Sequence, residues 1–260
     1  MRFKLTLEIE KRFGNVIPIN YQYEQSAVIY KILSEANDDY AKWLHDNGFS
    51  IEDSGKRFKF FAYSNFKIEK RHVFKDSSRI AILSNTIEWQ ISFLPDKSTE
   101  SFITGVFMNR SFYIGDKLSG VKLTVINIEV LHTPYYKEVM CFSTMSPMCL
   151  RCKIDENHQE YISPADERAK DAIMLGLLNR YKAFYNKEYE GNLFFDFKLL
   201  DEPKRKRITI KSGTDAQSYV IGYMCKFEIS APQEFIKIMY DSGVGELCSQ
   251  GFGCVKLLEE

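Results

Sequence analysis

The stretch "GVGELCSQGFGCVKL", Gly243 to Leu257, holds four of the chain's fourteen glycines within eleven residues. What flanks it decides the fold class. Before it, "APQEFIKIMYDS" (231–242) has the spacing of a helix entered at Pro232, and within it "FGCVKLL" (252–258) reads as a strand. Walker and dinucleotide-binding glycine loops run the other way, from a strand into a helix. The order here therefore argues against a nucleotide-binding α/β fold. Two readings of the glycines remain: a tight helix-to-strand connection built from residues that tolerate positive φ, or a loop whose backbone N–H groups lie against a phosphate chain.

Outward from this stretch, the second half continues the same alternation. "SPADERAKDAIMLGLLNRYKAFYN" (163–186) is the strongest helical pattern, with Ser163 as N-cap, Pro164 at the first helical position and Asp166 completing a capping box. Strands are predicted at "VKLTVINIEVLHT" (121–133), "KEVMCFSTMSP" (137–147), "NLFFDFKLL" (192–200), "KRITIKSG" (206–213) and "SYVIGYMCKFEIS" (218–230). The first half offers a strand, "RFKLTLEIE" (2–10). Two helices follow, "YEQSAVIYKILSEA" (23–36) and "DDYAKWLHDNG" (38–48), the second stopped by Gly48. Strands come next at "FKFFAYSNFKI" (58–68), "RIAILS" (79–84) and "IEWQISFLP" (87–95), then a helix over "STESFITGVFMNRS" (98–111) and a strand, "SFYIGDKL" (111–118). Both halves follow a βαββαβ order. The predicted architecture is α+β, two tandem ferredoxin-like domains at 1–117 and 118–260.

Composition sets bounds on function. The chain of 260 residues is 45% hydrophobic and 27% charged, with a formal net charge of zero, so it folds throughout and has no bulk charge with which to coat a polyanion. Any nucleic-acid site must be a local patch. Two such patches exist: "PKRKRITIK", with Lys204, Arg205, Lys206, Arg207 and Lys211, and "KIEKRHVFK", with Lys67, Lys70, Arg71 and Lys75. Each is either a solvated face or a track for phosphates. No apolar run approaches a membrane span, and the opening alternates like a strand, so the expected location is cytoplasmic. The six cysteines form a single C-x-x-C, "CLRC" (149–152), with only His158 as a further ligand type. That spacing is poor support for zinc, and no metal or other cofactor is expected.

The spacing G-x-G, five residues, G-aromatic-G-hydrophobic in "GVGELCSQGFGCV" resembles the C-terminal signature of the Cas6 family, the CRISPR-associated endoribonucleases of the repeat-associated RAMP superfamily. "STMSPMCLRC" (143–152) is similar to that family's second-domain entry, and "MRFKLTLEIE" with "PINYQYEQSAVIYKIL" to its opening. The resemblance spans nearly the whole chain. It implies tandem ferredoxin-like domains and metal-independent cleavage of precursor CRISPR RNA within its repeats. In that chemistry the 2′-hydroxyl attacks the adjacent phosphate, leaving a 5′-hydroxyl and a 2′,3′-cyclic phosphate. It implies repeat RNA as partner and is compatible with effector-complex subunits and a homodimer. An alternative is a catalytically inactive relative that only holds CRISPR RNA.

Cleavage of this kind needs a base, an acid and a cation for the phosphorane charge. Carried over by motif, the resemblance implies Tyr30 in "VIYKIL", His45 in "KWLHDNGF" and Lys59 at the head of "KFFAYS". For Lys59 the register leaves Lys56 and Arg57 as competitors. The residue types also admit plain readings: a surface histidine at a helix end, a tyrosine flanking the core. Gly243, Gly245, Gly251 and Gly253, with the basic run at 204–207 and Lys211, are the predicted RNA contacts. The loop carries Glu246 and no Lys or Arg, which shifts cationic contact to the basic hairpin.

Overall fold

A computed structural model describes residues 1–46, 48–51, 57–94, 107–108, 110–155, 158–212 and 214–258. Period-two alternation in Arg2–Ile9 turns Phe3, Leu5, Leu7 and Ile9 into one core. This strand sits centrally in a five-stranded antiparallel sheet. The order is Phe61–Tyr63, Thr86–Phe93, Arg2–Ile9, Gly120–Leu131, Ser111–Gly115. Helix α1, Gln22–Ala36, covers it with Ile29 and Leu33 fully buried, and α2, Asp38–Asp46, follows after Asn37.

The second sheet repeats the plan. Its order is Asp196–Leu199, Lys226–Ser230, Val139–Thr144, Val255–Leu257, and the helices α3, Ala169–Tyr185, and α4, Gln233–Ser242, supply Ile173, Leu177, Phe235 and Met239 to its core. Numbered by position in βαββαβ, the second sheet and the first four strands of the first run 2-3-1-4, the ferredoxin-like order, with Ser111–Gly115 as an extra edge strand beside position 4 of the first. A two-stranded ribbon, Lys204–Ile210 with Ser218–Met224, stands between positions 2 and 3 of the second unit.

Five expectations meet differences. The single strand expected over 218–230 divides after Met224, Ser218–Met224 joining the ribbon and Lys226–Ser230 the second sheet. The boundary at 117/118 places the strand at 121–133 in the second unit. Gly120–Leu131 instead pairs with Arg2–Ile9 along that strand's length, so the first sheet keeps it and the domain change at 117/118 falls before the last strand of the first unit. Alternation reports that one face is buried, not which sheet buries it. The helix expected from Ser163 begins at Ala169, because local turns use the would-be caps: Ala165 N–H donates to Ser163 Oγ, Arg168 N–H to Asp166, and the Arg168 guanidinium binds Asp166 and Glu160. The strand over 58–68 is broken by Phe60, at φ +45°, whose ring leaves the first core for the second. Arg79–Ile82 joins a separate three-stranded sheet with Val16–Pro18 and Arg71–Phe74. The helix expected at 98–111 lies outside the described residues apart from 107, 108, 110 and 111.

Of two buried arginines, Arg2 ties the first unit to the second, and Arg180 holds the glycine stretch to α3 within the second unit. Arg2, 2% exposed, donates from the first sheet to the carbonyls of Val255 and, at 2.6 Å, Tyr240, with its guanidinium 3.9 Å from the Tyr240 ring centroid. Arg180, 5% exposed on α3, donates to the carbonyls of Gly243 (2.7 Å) and Gly245. Charge-assisted bonds of this kind contribute roughly 1.5–3 kcal/mol each.

Candidate active site

Helix α1 turns Ile29, Ile32 and Leu33 into the core and sets Tyr23, Ser26, Ala27 and Tyr30, at helical spacing, on the adjoining flank. These four line a cleft of about 530 Å³ together with His45, Gln250, Lys211 and Ser218. His45 arrives in the last turn of α2, and its ring meets that of Tyr30 edge-on, with centroids 5.3 Å apart and planes at 81°. His45 Nδ1 lies 2.8 Å from Asp46 Oδ1. An ionised carboxylate can only accept, so Nδ1–H donates to Asp46 and Nε2 is the ring nitrogen left for other partners. The same bond holds the Asp46 carboxyl below its ordinary range. Two of the three residues implied for chemistry thus meet at one cleft.

Lys59 is placed differently. Its Nζ donates to the carbonyls of Leu44 and His45 at the C-terminal end of α2, and it lines a neighbouring cleft. Burial lowers its pKa. The left-handed Phe60 beside it, packed against Phe58 and Phe184, fixes the direction of this turn. Lys59 here ties down the helix end that carries His45; cations suit such an end because orphan carbonyls gather there. Lys56 lies outside the described residues.

The four glycines sit in the seam between the two units, all at positive φ, from +68° to +95°. A Cβ on Gly245 would come 2.4 Å from the Cys149 carbonyl oxygen, and one on Gly253 only 2.0 Å from that of Val244. Three of the four amides are spent inside the fold: Gly243 on Met239, Gly253 on Pro147, Gly251 on Cys248. Those amides build the connection and are not held out toward a phosphate chain. What the loop offers the cleft is its exposed corner at Gln250, next to Ser249, whose carbonyl accepts from Ser26 Oγ at 2.9 Å. Glu246 is occupied by Arg151, whose Nε is 2.6 Å away.

The ribbon carries Lys204, Arg205, Lys206 and Arg207 exposed on both faces, while its base, Ile208, Ile210 and Val220, packs on Phe252 of the glycine stretch. Arg207 lies 3.9 Å from the Tyr219 ring centroid, a cation and a stacking surface side by side. Past the ribbon's first strand, Lys211 reaches the cleft, with Nζ 5.8 Å from the Tyr23 ring centroid. In the other basic run, Lys67 is paired with Glu88 at 3.0 Å. The "CLRC" cysteines part company: Cys149 is buried under the ribbon, its thiol pushed up to about 12 by desolvation, while Cys152 packs toward the second core. Among the described residues no three His, Cys, Asp or Glu side chains group as metal ligands, and no helix is long and apolar enough to cross a membrane.

Arg180 escaped the sequence reading although a signal existed. It shares the apolar face of α3 with Ile173 and Leu177, where a charged residue must find a buried partner.

Tandem ferredoxin-like units, a glycine-rich seam and a Tyr–His cleft beneath a basic ribbon define an α+β protein of the kind that handles RNA. The family profile "CRISPR-associated protein Cas6, N-terminal" matches residues 16–129, and "CRISPR associated protein Cas6, C-terminal" matches 131–257. The chain belongs to the Cas6 family. It is 29% identical over 266 residues to the CRISPR-associated endoribonuclease Cas6 1 of Methanocaldococcus jannaschii, covering 100% of this chain and 95% of that protein. It is 26% identical over 258 residues to the CRISPR-associated endoribonuclease Cas6 of Pyrococcus furiosus, covering 99% and 90%. Among solved structures it resembles a Cas6-related protein from Pyrococcus furiosus, with a TM-score of 0.82 at 27% identity over 100% and 99% of the two chains. It also resembles a RAMP protein described as binding different RNA substrates, at 0.81 and 25% over the whole of both.

Proposed function

We propose that this protein is an endoribonuclease that cuts CRISPR precursor RNA within its repeats, without a metal, by attack of the RNA's own 2′-hydroxyl. The observation that carries this reading is the meeting of the Tyr30 and His45 rings in a cleft that also receives Lys211 from the basic ribbon. The 2′-oxygen forms a bond to the adjacent phosphorus and the bond to the 5′-oxygen breaks. One proton leaves the 2′-oxygen and one reaches the 5′-oxygen. Imidazole serves either transfer near neutrality, and the phenol of Tyr30 is the complementary group. Lys211 brings positive charge to the phosphorane, and Lys59 acts as a positioning residue through the end of α2. The expected products are a 5′-hydroxyl and a 2′,3′-cyclic phosphate.

The test is cleavage of the repeat RNA from the protein's own CRISPR locus in excess EDTA, with end-group analysis. Cleavage should persist, and should fail when the nucleotide before the cut is 2′-deoxy. Strict dependence on added magnesium would overturn the reading, and binding without any cleavage would make the protein an RNA-holding relative.

The ribbon supports a second expected result. Changing Lys204, Arg205, Lys206 and Arg207 together to Gln should weaken binding of RNAs of many sequences alike. The slope of log K against log salt should flatten by up to about three, since each phosphate contact to a single strand contributes about 0.7. A salt titration by filter binding reads this directly, and an unchanged slope would assign the four cations to a solvated face.

A further inference from the structure

A second cleft, about 430 Å³, shares Gln250 with the one that holds Tyr30 and His45. Four cations line it, Arg57, Lys59, Arg151 and Arg180, with Glu246 as the acid. Each cation is already fixed. Arg57 donates to the Asp46 carbonyl, Lys59 to those of Leu44 and His45, Arg180 to those of Gly243 and Gly245, and Arg151 is paired with Glu246. Carbonyl oxygens orient a cation without cancelling its charge, so only Arg151 of the four is ion-paired within the lining, while the Asp46 carboxylate offsets part of the field of Arg57 and Lys59. In a chain of zero net charge this is a concentrated field, and side chains fixed beforehand lose little freedom when an anion arrives.

The wall of the cleft adds an independent observation. Gly176 stands within α3, and a Cβ built on it meets no atom within 4 Å apart from its chain neighbours and the backbone of its own helix. Glycine is the worst helix former apart from proline, and here no neighbour in the protein requires it. A bare helix surface is what the close approach of another backbone needs.

We propose that this second cleft receives the phosphates of the RNA strand adjoining the cut, the strand crossing Gln250 between the two clefts and lying against α3 at Gly176. The proposal rests on the endoribonuclease reading above. Binding of three RNAs to the full chain tests it: the intact repeat with a 2′-deoxy block at the cut, and two versions trimmed to end just past the cut on one side or the other. Gly176→Ala should raise Tm by about 2–4 °C, the gain from a better helix former, and yet weaken the intact repeat several-fold. Gly176→Glu should weaken it by at least about tenfold. Both variants should bind one of the trimmed RNAs as the wild type does, because that RNA lacks the nucleotides seated here. Wild-type affinity of both variants for all three RNAs, with the wild-type protein still cutting the repeat, would overturn the proposal and leave the endoribonuclease reading intact. A wild-type protein that neither binds nor cuts the repeat would overturn both.

Discussion

His45→Ala is expected to lower the single-turnover cleavage rate constant by at least about 100-fold, the usual contribution of one general acid or base, while RNA affinity stays within about threefold. The structure makes this a clean separation. The His45 side chain is 68% exposed, so its removal opens no cavity, and its ring bonds the neighbouring Asp46 rather than the core. Lys59 keeps its hold on α2 because it binds main-chain oxygens, which the substitution leaves in place. Rapid-quench kinetics at saturating protein, beside a binding isotherm, is the measurement. Cleavage at the wild-type rate would move the chemistry away from this cleft and leave only RNA binding.

The second large effect is on stability. Gly253→Ala is expected to cost roughly 2–5 kcal/mol, combining the strain of an L side chain in the left-handed region with overpacking. For a chain of this size that is a fall in Tm on the order of 5–15 °C. At φ +68° the added methyl would stand 2.0 Å from the Val244 carbonyl oxygen and 3.0 Å from Val244 C and N. Those are backbone atoms, which cannot swing aside as a side-chain tip would. Relief would pull apart the Val244 N–H bond to the Gly253 carbonyl (2.8 Å) and that of Gly253 N–H to Pro147 (2.9 Å). Below the transition, the molecules that remain folded should bind repeat RNA with wild-type affinity. Weak binding with an unchanged Tm would instead put this part of the loop against RNA.

The order of helices and strands was legible because each element carries its own period. Leu5, Leu7 and Ile9 alternate, and Ile29, Ile32 and Leu33 recur on one helical face, so local chemistry and global fold agree. Tyr30 and His45 were legible only through the family's motifs; nothing in the spacing of residues 30 and 45 says that two helices bring their rings together. Lys59 shows where reading stops. Its direction depends on Phe60 adopting a left-handed backbone that sequence gives no reason to expect of a phenylalanine. The amides of Gly243, Gly251 and Gly253 were open to two uses, and the choice rests on carbonyls from Met239, Cys248 and Pro147. Arg2 reads as the polar edge of an alternating strand, and its burial is decided by Tyr240 and Val255, at the other end of the chain.

That last separation has a bearing on when the protein becomes competent. Chains emerge from the ribosome N-terminus first, at about 5–20 residues per second. By the time Leu131 has cleared the exit tunnel, the strands of the first sheet are all present, and α1 can present Tyr30 while α2 presents His45. The cleft still lacks Lys211, Gln250 and the Ser249 carbonyl that Ser26 reaches across 223 positions of sequence. A half-made chain therefore carries Tyr30 and His45 without the opposite wall of their cleft. In the order of synthesis the seam at residues 243–255 is the last wall of the cleft to be made, after both helices that line its other side.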